Sequence, residues 1–141
     1  MVNVLCIKWG NLYGPEYVNK LYRMVSRHLN QPFRFVCLTD NTDGLLPQVE
    51  TLPIPAMDIP AHRAVSPWRK LTLFSEQLGD LQGKALFLDL DVVILDSIDP
   101  LFEYADRFTI IENWTQKGRN IGNSSVYAFE IGRYAHVLEH Y

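Results

Sequence analysis

The chain lacks an apolar run long enough to cross a bilayer, and its 141 residues include only two cysteines. A membrane-spanning helix needs about 20 consecutive apolar residues, so no transmembrane segment is predicted. The apolar stretch near the N-terminus, residues 2–7, is also too short for a signal peptide. Cys6 and Cys37 each lie within an apolar, strand-like run, which favours buried, reduced thiols over a disulfide. These features predict a cytoplasmic protein.

The sequence also lacks a strong charge of either sign. Its formal net charge is −3, and no run of lysine and arginine stands out. Nucleic acid is therefore not expected as the main partner. Hydrophobic residues make up 48% of the chain, which is enough for one domain with its own core. The composition predicts a single domain over residues 1–141. It does not indicate the chemistry of the protein, which is inferred from motifs below.

Short apolar runs alternate along the chain with segments of helical periodicity. Apolar residues recur at helical spacing after Pro15, which predicts an amphipathic helix. A second helix is expected from Ser66, as its N-cap, to a stop at Gly79, and a third over residues 134–141. Strands that alternate with helices predict an α/β fold with a mixed, mostly parallel sheet and helices on both faces. The strands are predicted at residues 2–9, 33–39, 49–52, 84–90, 108–111 and 126–131.

Residues 85–95 contain the most informative feature of the chain. Asp89 and Asp91 stand two residues apart within an otherwise apolar run. An ionised carboxylate is costly to bury unless it is paired, hydrogen-bonded or bound to a metal. Two carboxylates at the end of a strand can converge on one hard divalent cation, which prefers oxygen ligands. Because such a cation can bind a phosphate, the pair predicts metal-assisted chemistry on a phosphorylated substrate.

Polar and aromatic residues follow the other predicted strands at equivalent positions. Ligands bind outside the carboxyl ends of the strands in open α/β sheets, so these residues are expected to share one edge with the two aspartates. If the last strand runs antiparallel, residues 123–125 enter from the same side. The residues at these carboxyl ends are Lys8, Trp9, Thr39, Asp40, Glu112 and Asn113.

The aspartate pair has three interpretations. The first is a solvated turn between a strand and a loop. The second is a phosphatase, because Asp89-Leu90-Asp91 and the residues after it resemble the first motif of the haloacid dehalogenase family, whose leading aspartate is a nucleophile. That motif normally opens its domain, whereas a strand–helix–strand unit precedes it here. The residues after Ser97 also show no clear acidic pair of the kind that this family uses to hold magnesium. The third interpretation is the DxD motif of a glycosyltransferase.

The chain resembles the bacterial glycosyltransferases of the GT-A fold over essentially its whole length. The resemblance rests on Lys8-Trp9-Gly10 with Tyr13, and on residues 15–19, 33–40, 68–71, 88–91 and 123–126. It implies transfer of a sugar from a nucleotide sugar, expected to be a UDP-sugar, to a small-molecule or glycan acceptor. Many metal-dependent members complete their metal site with a histidine from a C-terminal part. We therefore expect residues 1–141 to be a nucleotide-sugar-binding domain that lacks this part. A nucleotide-binding domain without turnover is the alternative that this absence favours.

The resemblance also implies roles for individual residues at the expected site. Asp89 and Asp91 would hold Mn²⁺ or Mg²⁺ against the diphosphate, and Asp89 would also contact the ribose. Lys8, Trp9 and Tyr13 are expected in the nucleotide pocket, where an aromatic face can stack on a base. Packing at the rim of the core is the alternative for the two aromatic residues.

Further residues are candidates for the sugar and phosphate groups. Asp40 could bind a ribose hydroxyl, although a role in the turn that follows is an equal alternative. Lys70 is a candidate contact to the diphosphate or the sugar, with a solvated lysine as the alternative. The donor sugar or the acceptor is expected at Asn123, Ser124 and Ser125, where ordinary turn chemistry is again the alternative. No catalytic base is identified.

Overall fold

The structure, a computed structural model, describes residues 1–56 and 67–139, and six strands in this part form one sheet. The strands are β1 (Val2–Lys8), β2 (Phe33–Thr39), β3 (Glu50–Leu52), β4 (Lys84–Leu88), β5 (Thr109–Glu112) and β6 (Gly122–Glu130). The helices are α1 (Pro15–His28) and α2 (Ala135–Glu139), with short 3₁₀ helices at Pro67–Phe74, Asp99–Tyr104 and Trp114–Gln116. These elements confirm the predicted α/β fold.

The strands lie in the order β3-β2-β1-β4-β6-β5. β1 pairs in parallel with β2 and β4, and β2 pairs in parallel with β3. β6 runs antiparallel to both β4 and β5. Leu88 at the end of β4 pairs with Val126 in β6, so the residues just before Val126 lie beside the carboxyl end of β4. The sheet is therefore mixed and mostly parallel, as predicted.

Helices cover both faces of the sheet. On one face, Val4 of β1 belongs to the same buried cluster as Val18 and Leu21 of α1. On the other face, Leu5 of β1 packs in a cluster with Leu73 of the 3₁₀ helix Pro67–Phe74. Consecutive strand residues point to opposite faces, which is why the apolar run at residues 4–7 of β1 supplies both clusters. Two buried faces leave only the edges of the sheet for a polar site.

The helix predicted between Ser66 and Gly79 is shorter and tighter than expected. Its described part is a 3₁₀ helix that ends at Phe74, and Ser66 lies outside the described residues. The hydroxyls of Thr72 and Ser75 donate to carbonyl oxygens three residues earlier, each at 2.6 Å. Such bonds compete with α-helical hydrogen bonds for the same carbonyl groups. The apolar stripe was recognised correctly, but the type and length of the helix were not.

The strand that precedes the two aspartates also ends earlier than predicted. β4 stops at Leu88, whereas the apolar run suggested a strand to residue 90. The N–H of Val92 donates to the carbonyl oxygen of Asp89 at 3.4 Å, which bends the chain into a turn. Asp89 and Asp91 therefore belong to this turn. Asp89 is half-buried and Asp91 is exposed.

The two cysteines are buried, free thiols on neighbouring strands, as predicted. Cys6 of β1 and Cys37 of β2 are partners in the parallel register. A hydrogen bond with Cys37, together with burial, raises the pKa of the Cys6 thiol. This thiol is therefore protonated and unreactive at neutral pH.

None of the described helices has the length and apolar character that a membrane span requires.

Candidate functional site

A cleft of about 250 Å³ lies at the carboxyl edge of the parallel strands. Because β1 and β4 are adjacent and parallel, the residues that follow them meet at this edge. The 3₁₀ helix Pro67–Phe74 adds a further wall. Six residues that the sequence singled out line this cleft: Lys8, Trp9, Tyr13, Lys70, Asp89 and Asp91.

Asp89, Lys70 and Ser124 form a polar network, called here the carboxyl-edge network. The Nζ atom of Lys70 lies 2.8 Å from Oδ1 of Asp89. The same ammonium donates to the carbonyl oxygen and the hydroxyl of Ser124, at 3.1 and 3.2 Å. The backbone N–H of Asp89 donates to the carbonyl oxygen of Ser125 at 2.9 Å. The network thus connects the end of β4 to the beginning of β6.

Asp91 faces the same cleft from the exposed side of the turn. The negative charge of Asp91 raises the pKa of the Tyr13 hydroxyl, and burial adds to the effect. Tyr13 therefore remains a neutral phenol next to this carboxylate. The ring of Tyr13 also contacts Tyr17 edge to face, with ring centroids 4.8 Å apart. Asp89 and Asp91 share one cleft but have different neighbours.

The donor set of the cleft fits a hard divalent cation that is bound together with a phosphate. Asp89 and Asp91 supply carboxylate oxygens, the ligand type that Mg²⁺ and Mn²⁺ prefer. Mg²⁺ is usually held by one or two carboxylates together with substrate phosphates, rather than by a cage of protein ligands. Within residues 1–56 and 67–139, no cluster of three or more His, Cys, Asp or Glu side chains could hold a metal. The other ligands would then come from the substrate and water.

Lys8 contributes a positive charge to the lining of the cleft. It is only 5% exposed, although it ends β1 and lines the cleft. Within the described part of the chain, no carboxylate forms an ion pair with it. Burial of an ammonium without an opposite charge is costly. An anionic ligand in the cleft would supply that charge.

Trp9 forms an aromatic wall next to Lys8. It is half-buried and lines the cleft. The guanidinium carbon of Arg69 lies 4.1 Å from the centroid of the Trp9 ring, which is a cation–π geometry. The packing alternative is therefore correct in part, because Trp9 has a partner within the protein. Stacking of a base on Trp9 stays a prediction.

Asp40 and Asn123 lie at the predicted edge, but each makes a turn contact. Oδ2 of Asp40 accepts a hydrogen bond from the N–H of Gly10 at 3.1 Å. Gly10 has a φ of 64°, in the left-handed region that favours glycine. Oδ1 of Asn123 accepts from the N–H of Ser125 at 2.9 Å. The contact of Asn123 is that of its turn alternative and fixes the start of β6. Asp40 instead fixes the turn after Trp9, which is not the turn that follows Asp40 itself.

Sequence reasoning missed five residues that line the cleft: Ile7, Leu12, Arg69, Phe87 and Leu90. The available signal for Arg69 was its place directly before Lys70. Tyr127 stacks on Phe87 with ring centroids 4.9 Å apart, and its buried hydroxyl has no hydrogen-bond partner in the described structure. Burial, together with the charge of Asp89, raises the pKa of this hydroxyl. No sequence pattern distinguished Tyr127 from an ordinary core residue.

Comparisons with known proteins support the fold. No protein-family model and no curated protein match this sequence. A crystal structure of the galactosyltransferase LgtC in complex with donor and acceptor sugar analogs superposes with a TM-score of 0.67 and 16% identity over 95% of this chain. A structure of an active-site mutant of LgtC gives the same TM-score, identity and coverage. This chain has a GT-A-type fold. It spans 59% of the LgtC chain in both comparisons.

Proposed function

We propose that residues 1–141 form a nucleotide-sugar-binding domain that transfers a sugar from a UDP-sugar to an acceptor, with the help of Mn²⁺ or Mg²⁺. The main support is the charge distribution at the carboxyl edge of a GT-A-type sheet. Two carboxylates, Asp89 and Asp91, and the buried ammonium of Lys8 line one cleft. Carboxylates match a cation, and an ammonium matches a phosphate. A metal–diphosphate unit carries both of these charges.

Asp89 and Asp91 would hold the divalent cation. When bound, this cation would act as a Lewis acid and neutralise charge on the departing diphosphate. Lys8 would contact a phosphate of the same diphosphate. Lys70 is a second lysine that lines this cleft and contacts Asp89, and it would also contact the diphosphate.

The nucleoside and the sugar would occupy opposite sides of this diphosphate position. Trp9 would stack on the base, and Asp40, which braces the turn after Trp9, would bind a ribose hydroxyl. The polar start of β6, with Asn123, Ser124 and Ser125, would contact the donor sugar or the acceptor. Its link to the diphosphate position is the contact between Lys70 and Ser124.

Calorimetric titration with UDP, with and without Mn²⁺, tests the proposal. Wild-type protein should bind UDP in the presence of Mn²⁺ and much more weakly without it. Asp91→Ala should weaken binding at least about tenfold, since even residues that only orient metal ligands contribute that much. Asp96→Ala is the matched control, because Asp96 is an exposed aspartate of the same loop whose Oδ1 accepts from the N–H of Ser97. Equal affinities of Asp91→Ala and wild type would refute the metal site.

Two activity measurements separate this proposal from the phosphatase alternative. A glycosyltransferase should release UDP from a UDP-sugar slowly in water and faster with a suitable acceptor. A haloacid dehalogenase-type phosphatase should instead hydrolyse 4-nitrophenyl phosphate, and Asp89→Asn should abolish that hydrolysis because the nucleophile is lost. Hydrolysis of the aryl phosphate without UDP binding would overturn the proposed function.

A further inference from the structure

The ammonium of Lys70 has a complete set of oxygen partners. A lysine ammonium carries three N–H donors. Those of Lys70 have three oxygen atoms within reach: Oδ1 of Asp89 at 2.8 Å, and the carbonyl and hydroxyl oxygens of Ser124 at 3.1 and 3.2 Å. The Lys70 side chain is 19% exposed and that of Asp89 is 25% exposed. This lysine is therefore held in place by the protein, and it is not a solvated surface lysine.

This arrangement puts a positive charge where a divalent cation would have to approach. Coordination by Asp89 would bring the ion close to an ammonium that already contacts one of the two carboxylate oxygens. Like charges repel strongly at such separations, and partial burial reduces the screening by water. Asp91 lies in the same cleft, and none of the described lysines or arginines forms an ion pair with it. Among the two aspartates, Asp89 is thus the one whose carboxylate already contacts an ammonium.

We propose that Lys70 is an internal counterion of Asp89 that competes with the divalent cation, so that the metal binds tightly only together with a diphosphate. The proposal rests on the proposed function for the identity of the ligands. Without ligand, Lys70 neutralises Asp89 and ties it to Ser124. When a diphosphate enters, its negative charge attracts the metal and Lys70 alike, and the two cations no longer oppose each other.

Reciprocal coupling between metal and nucleotide follows from this competition. If UDP increases the affinity for Mn²⁺, then Mn²⁺ increases the affinity for UDP by the same factor. Removal of the Lys70 charge should strengthen the binding of Mn²⁺ alone and reduce this factor. An ordinary phosphate-binding lysine would behave differently, because its removal would weaken UDP binding and leave the affinity for Mn²⁺ alone unchanged.

Electron paramagnetic resonance of free Mn²⁺ measures the metal affinity without any turnover. Lys70→Met should bind Mn²⁺ alone about tenfold more tightly than wild type, which is the usual size of an outer-shell effect on metal affinity. The increase in Mn²⁺ affinity that saturating UDP produces should fall about tenfold or more, within the common range of coupling between sites. Lys70→Arg keeps the charge and should retain the weak Mn²⁺ affinity of wild type.

Lys84→Met is the matched control, because it removes one lysine charge at the amino end of β4, the opposite end of the strand from Asp89. It should change the Mn²⁺ affinity less than threefold. If Lys70→Met does not fold, Lys70→Gln replaces it, since the amide can still donate to Ser124 without a charge. An unchanged or weaker affinity of the neutral variants for Mn²⁺ would overturn the proposal, even if UDP binds as proposed. Stronger Mn²⁺ binding without any UDP binding would support the competition and refute the proposed function instead.

Discussion

Two groups of ion pairs lie at opposite edges of the same sheet, and they are built differently. At the amino edge, Arg34 of β2 binds Glu50 of β3 and Asp80, which precedes β4. We call these three residues the amino-edge cluster. The closest N···O distances are 2.6 Å to Glu50 and 3.0 Å to Asp80. At the carboxyl edge, Lys70 pairs with one carboxylate, Asp89, while Asp91 lies in the same cleft.

The comparison distinguishes charges that join strands from charges that remain available to a ligand. The guanidinium of Arg34 makes bidentate contacts with both carboxylates of the amino-edge cluster. It lowers the pKa values of Glu50 and Asp80, and their hydrogen bonds raise that of Arg34. These charges satisfy one another. At the carboxyl edge, the buried Lys8 and the exposed Asp91 form no such cluster within the described residues, so that edge can accept a charged ligand.

The largest expected effect is a loss of stability when Asn3, which links β1 to the start of β4 at the amino edge, is replaced. Asn3 is 2% exposed, and its Nδ2 donates to the carbonyl oxygens of Gln82 and Lys84 at 2.9 and 3.1 Å. Asn3→Ala leaves these carbonyl groups without that donor and should lower the free energy of unfolding by about 2 kcal/mol. Urea denaturation measures the loss. Gln82→Ala keeps the carbonyl and should change stability by less than about 0.5 kcal/mol. Equal effects of the two variants would contradict this role of Asn3.

Trp9→Ala should weaken ligand binding at the carboxyl edge, whereas Asn3→Ala is expected to lower stability. Stacking of a base on an aromatic side chain contributes about 1–3 kcal/mol, so the affinity for UDP with Mn²⁺ should fall about tenfold or more. Calorimetry on the same samples used for urea denaturation separates binding from folding. Trp9→Phe keeps an aromatic face and should recover most of the affinity. Wild-type affinity in Trp9→Ala would mean that this ring only packs against Arg69.

Arg34→Met should produce a smaller loss of stability and no loss of binding. The carboxylates of Glu50 and Asp80 are 45% and 76% exposed, and such exposed pairs contribute at most about 1 kcal/mol. The free energy of unfolding should therefore fall by about 1 kcal/mol or less. Arg34→Lys keeps the charge without the bidentate geometry and should recover only part of it. A change in UDP affinity in Arg34→Met would show that the two edges are not independent.

The smallest expected effect is the pH dependence of the amino-edge cluster. The pKa values of Glu50 and Asp80 lie below their ordinary values of 4.5 and 3.8 because Arg34 stabilises the ionised forms. Their contribution is complete above the ordinary values and is lost as the pH falls through the lowered ones. The stability difference between wild type and Arg34→Met should be constant near neutral pH and shrink in acid. A difference that grows as the pH falls would contradict this assignment.

The sequence predicted the central strands of the sheet well because β1, β2 and β4 are buried on both faces. Mainly apolar runs marked these three strands, and the bounds of β2 were exact. The spacing of Val18 and Leu21 marked α1. Element ends were less accurate, because hydrogen bonds decide them: the N–H of Val92 ends the extended run after β4, and no periodicity encodes that bond.

The candidate site was predicted in part. Residues at the ends of adjacent parallel strands, such as Lys8 and Asp89, were expected together, and they line one cleft. Arg69 and Tyr127 were missed because their positions depend on how the helix Pro67–Phe74 and β6 pack on the sheet. The pairing of Lys70 with Asp89 was not foreseen either, since a lysine near an apolar stripe has many possible partners.

The sequence alone determined which residues are buried, which segments are extended and where carboxylates leave the core, because burial and backbone direction follow from local pattern. The tertiary structure decided which charges meet. It brings together Lys70, Asp89 and Ser124, residues from three separate segments, and it leaves Lys8 buried without a described carboxylate partner. Electrostatic energy depends on distances of a few ångströms, and for residues far apart in the chain only the folded packing sets those distances.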